Sequence, residues 1–77
     1  MISGMLWLDG DSHRSLDDKV QRAVDYYEEK YGSTARVCYV NKELAAEETQ
    51  VGSVKVMPLA TVMRHHFLVV AEQPPQH

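Results

Sequence analysis

The chain has 77 residues and a mass of 8.8 kDa, 44% of it apolar, with eleven acids against eight bases for a formal charge of −3. That balance excludes a disordered chain, which is poorer in apolar residues and more highly charged, and the length excludes a second core of ordinary size. No apolar run approaches the roughly 20 residues that a bilayer-spanning helix requires.

Met5-Leu6-Trp7-Leu8 is a short apolar run closed by the turn formers Asp9-Gly10-Asp11-Ser12. Too short for a helix, it predicts a first strand. Met5 is an alternative start of the chain, with the four residues before it as an unstructured lead.

The longest element predicted is a helix that begins after Ser15, an N-cap residue type. Asp17 and Asp18 place negative charge at the positive end of the helix dipole, and Asp18 can reach back to the cap. Leu16, Val20, Ala23, Val24, Tyr27 and Tyr31 recur at spacings of three and four and form one apolar stripe. Asp18, Arg22, Asp25 and Glu29 line the other side, with Arg22 at pairing distance from Asp18 and Asp25. Gly32 supplies a left-handed stop.

Residues 35–41 read as an interior strand, with Ala35, Val37 and Tyr39 on one face and Arg36, Cys38 and Val40 on the other. Asn41 can cap a brief helix through 44–48. Residues 51–57 alternate as a third strand that Pro58 ends, 59–64 form a connector, and 66–71 form a last, central strand. The expected domain covers 1–73, with a flexible polar tail at 74–77.

The order β-α-β-(short α)-β-β predicts an α+β fold, a two-layer α/β sandwich. Its mixed four-stranded sheet carries one long helix on one face and pairs its last two strands antiparallel. The first β-α-β unit is expected to cross over right-handed. With a single long helix, one sheet face is left for a partner. Trp7, Cys38, Val40 and Phe67 are the residues expected to present it.

Asp9 and Asp11, two residues apart after a strand, are a spacing that can hold a divalent cation. His13 and His66 complete a candidate metal set for a small hydrolase. A calcium loop does not fit, because its glycine position holds Arg14 and its final ligand position holds Val20. The competing reading is an Asp/Gly/Ser turn that leads into a capped helix and needs no ligand. His65 and His66 are neighbours, so on a strand they point to opposite faces and do not share one ion without a bend. Cys38, mid-strand, reads as a small buried apolar residue.

The eight basic residues are scattered, with no run of three. Stacking of single-stranded nucleic acid on sheet aromatics (Trp7, Tyr39, Phe67) is therefore an alternative function and not the leading one. The leading expectation is a non-catalytic interaction module, binding no cofactor. It would be a homodimer or dock on a larger protein through a sheet face or an edge strand, without membrane contact. A domain this small buries only about 60–65% of its chain surface, and association is a common remedy. The lone cysteine and the absence of a secretory leader pattern point to a cytoplasmic location.

Overall fold

The computed structural model describes residues 4–71. They form a small α+β domain with one helix and a mixed five-stranded sheet: β1 (Gly4–Leu8), α1 (Leu16–Tyr31), β2 (Val37–Val40), β3 (Thr49–Val51), β4 (Val54–Pro58) and β5 (His66–Val70). The tail expected at 74–77 lies outside the described residues, as does most of the lead before Met5.

The helix follows from local signals. The Ser15 hydroxyl accepts the Asp18 N–H at 3.2 Å, so one of the unsatisfied first-turn donors has a partner. At the far end Gly32 takes φ 68, and its N–H donates to the Glu28 carbonyl. Past that stop, the Ala35 N–H donates to the Glu28 side chain at 2.9 Å, which turns the chain back toward the sheet. On the solvent side Gln21 donates to Asp25, taking the carboxylate expected to pair with Arg22.

The strand order is β1-β5-β2-β4-β3. Strands β1 and β2 are each antiparallel to β5, which lies between them, so they are parallel to one another. The unit β1-α1-β2 is thus a β-α-β crossover split by the last strand of the chain. Strand β4 runs parallel to β2, and β3 pairs antiparallel with β4.

Three expectations are corrected. The stretch read as one third strand is part of a hairpin, β3–β4, because Gly52 at φ 58 and Ser53 make a two-residue turn between Val51 and Val54. The sheet therefore has five strands. The brief helix after Asn41 is a turn: the Asn41 side chain accepts the Glu43 N–H at 2.8 Å, and its carbonyl accepts the Leu44 N–H at 2.9 Å. An Asx turn satisfies the backbone that a helix would otherwise have used. The last two strands do not pair, because β2 lies between β4 and β5.

The core lies between helix and sheet. Val20, Ala23, Val24 and Tyr27 of the helix cluster with Met5, Cys38, Val40, Val56, Phe67 and Val69 of the strands. Strand side chains alternate between faces, and the register agrees. Met5, Val69, Cys38 and Val56 form one row across four strands on the helix side. The next row along the strands, Leu6, Leu68, Tyr39 and Met57, must then lie on the opposite face.

Candidate functional site

That opposite face carries exposed apolar side chains. Leu6 is 61% exposed and Leu8 65%, and Met63, on the neighbouring connector, is 69% exposed. The face is not bare throughout: toward the other end of the strands Val37 and Val70 are buried. The open region lies at the Leu8–His66 end.

There the connector between β4 and β5 rises beside the sheet and makes a groove. Leu6, His66 and Leu68 contribute from the strands, and Leu59, Val62 and Met63 from the connector, around a volume of about 330 Å³. Local bonds fix this wall. The Leu59 N–H donates to the Val40 carbonyl, which holds the connector at the end of β2. Asn41 Nδ2 donates to the Val62 carbonyl at 2.9 Å, and Val62 itself is buried. Arg64 grips Glu43 with two bonds, Nη2 to Oε1 at 2.7 Å and Nε to Oε2 at 3.3 Å. This hydrogen bonding, and then the charge of the guanidinium, hold the Glu43 carboxyl below its ordinary range.

His66 is, with Thr61, one of two polar side chains lining the groove. Its Nδ1 lies 2.8 Å from the Arg64 carbonyl, and a carbonyl only accepts, so Nδ1 carries the proton. In the neutral ring Nε2 is then an acceptor, and among the described residues no hydrogen bond engages it. The groove is therefore an apolar trough with two polar side chains, Thr61 and His66, in its wall.

The four residues expected to present the open face lie beneath the helix instead. Cys38, Val40 and Phe67 are fully buried, and Trp7 packs against the same core, its ring 4.9 Å from that of Tyr26. The split of β2 into two faces was legible, but the helix takes the Cys38 face. The residues missed are their alternates, Leu6, Tyr39, Met57 and Leu68. Burial also pushes the Cys38 thiol from 9.0 to about 12, the opposite of what a nucleophile needs. Of the aromatics considered for nucleic-acid stacking, Tyr39 belongs to the open-face row and Phe67 to the core.

The Asp9–Asp11 turn is tied up internally. Asp9 Oδ1 accepts the Asp11 N–H at 3.0 Å, and Asp11 Oδ1 accepts the His13 N–H at 2.8 Å. The remaining oxygens face Arg14, whose Nη1 lies 3.7 Å from Asp9 Oδ2 and 3.2 Å from Asp11 Oδ2. A guanidinium thus stands where a cation would sit. Strand β5 does lie beside β1, and it brings His65 to this turn: Asp9 N–H donates to the His65 carbonyl at 2.9 Å. His66 instead lies across from Leu8 and lines the groove. Among the described residues no three His, Cys, Asp or Glu side chains gather as a metal set. None of the helices there is long and apolar enough to cross a membrane.

No family model, curated protein or solved structure matches this chain.

Proposed function

We propose that this chain is a non-catalytic interaction module that receives a partner protein, or a second copy of itself, on the open face of its sheet. One observation carries the reading: an apolar row, Leu6–Leu68–Tyr39–Met57, crosses four strands on the face opposite the helix. It leads into a groove beside exposed Leu8 and Met63. Covering apolar area is worth roughly 25 cal/mol per Å². A partner's apolar helix stripe or sheet face laid over the row would supply a second outer layer to the two-layer sandwich. The engagement of both carboxylates of the Asp9–Asp11 turn by Arg14 and backbone N–H groups supports a role without metal chemistry. The unpaired Cys38 supports action in a reducing cytoplasm.

The test compares the natural chain with a Leu59→Lys, Met63→Lys double variant. Both positions are exposed, so the helix signal in circular dichroism should be unchanged. The natural chain is expected to enhance the fluorescence of an anilinonaphthalene dye, and the variant to lose most of that enhancement. A natural chain that binds no dye and sediments at 8.8 kDa at every concentration would overturn the reading.

A further inference from the structure

We propose that a second copy of this chain pairs antiparallel along β1, joining two five-stranded sheets into one continuous sheet; this rests on the reading of the chain as an interaction module and names its first partner. Strand β1 is terminal in the sheet, so one of its edges pairs with no described strand. The ladder tells which groups point outward. Asp9 N–H donates to the His65 carbonyl, one step beyond the Leu8–His66 pair in the same register. Bonded and non-bonded pairs alternate in an antiparallel ladder. Trp7 and Met5 therefore bond to β5, while Gly4, Leu6 and Leu8 turn their N–H and C=O groups to the free edge.

The two sheet edges differ in a way that singles out β1. The opposite edge, β3, has only three residues, Thr49–Val51. It is preceded by Glu47 and Glu48 and flanked by a Lys55–Glu48 ion pair at 3.7 Å. Short length and charge are how natural edges are kept from pairing. Strand β1, Gly-Met-Leu-Trp-Leu, has five residues with no charge, no proline and no bulge in its register. An open, uncharged edge of that length is a template for another strand.

The sequence of β1 is complementary to itself. A two-fold axis through Leu6 sets Leu6 against the partner's Leu6 and matches outward groups with outward groups. On the open face Leu8 then lies opposite the partner's Gly4, which carries no side chain of its own. On the helix side Met5 lies opposite the partner's Trp7, a favourable sulfur–aromatic pair. No like charges meet along the strand, since it carries none. The two open faces become one platform, with Leu6 of each copy at its centre.

The experiment is amide hydrogen exchange by NMR on the whole chain over a dilution series, with sedimentation on the same samples. The expected result is a species of twice 8.8 kDa in which the Leu6 and Leu8 amides are protected. Dilution should release that protection, while Met5 and Trp7 stay protected throughout. Leu8→Pro removes an outward N–H without touching the β5 ladder, a place where edge strands accept proline. It should weaken the dimer by roughly tenfold or more, whereas Met57→Lys should leave it intact. A dimer with unprotected Leu6 and Leu8 amides, or one dissolved by Met57→Lys but not by Leu8→Pro, overturns this pairing and leaves the docking role standing. A chain monomeric at every concentration also overturns the pairing. The converse, a β1-paired dimer that binds no dye, sinks the docking role alone.

Discussion

Cys38 shows how a single residue's surroundings set its chemistry. Its thiol is held at about 12 against an ordinary 9.0 because burial disfavours the thiolate. In the unfolded chain the thiol ionises first, so stability is unaffected below pH 9 and falls as pH rises from 9 toward 12. The slope from this one group is about 1.4 kcal/mol per pH unit. Comparing the stability–pH curves of the natural chain and Cys38→Ala isolates it: the difference should shrink steadily above pH 9. A difference that stays flat to pH 11 would contradict the burial. In the native chain a thiol reagent at pH 8 should react only as fast as the protein opens. Another residue constrained by its place is His65, which holds φ 65 as the one non-glycine with positive φ among the described residues. It does so at the corner where the His65 carbonyl receives Asp9.

At the scale of elements, the local devices should behave as separable parts. Ser15→Ala removes the acceptor of the Asp18 N–H and should cost about 1 kcal/mol in urea unfolding. Gly52→Val puts a β-branched side chain at φ 58 in the hairpin turn and should cost roughly 1–2 kcal/mol. If both variants match the natural chain, neither the cap nor the turn contributes as described. The same elements explain what the sequence discloses. The helix was legible from Ser15 to Gly32 because cap, stripe and stop are all local. The Gly52-Ser53 turn was legible in principle, as a two-residue glycine turn between valines, but the run 51–57 also alternates well enough to read as one strand. The pairing of β5 was hidden, since nearness in sequence suggests β4 while the sheet seats β2 between them. Which face the helix covers was hidden too. Trp7, Cys38, Val40 and Phe67 are apolar, and so are Leu6, Tyr39, Met57 and Leu68, so strand patterning alone gives no preference.

Over the whole molecule, one 16-residue helix spreads over one side of a five-stranded sheet. Of the other side, Leu6 is exposed, Leu68, Tyr39 and Met57 are half-buried, and the groove lies open beside them. A domain of this size has little stability in reserve, so an uncovered apolar face is a cost that association would offset. The Asp9–Asp11 turn was legible as a turn before a capped helix; Arg14, from the same short segment, lies beside both carboxylates, and among the described residues no three metal-binding side chains gather. We propose the open face as a surface through which the chain meets other molecules. The most direct check is hydroxyl-radical footprinting of the chain inside cells that naturally make it, set against the purified chain at high dilution. Met63, Met57, Leu6 and Tyr39 should be labelled several-fold less in the cell, with Tyr26 and Tyr31 on the helix unchanged. Equal labelling of the open-face residues in both samples would contradict a docking role for that face.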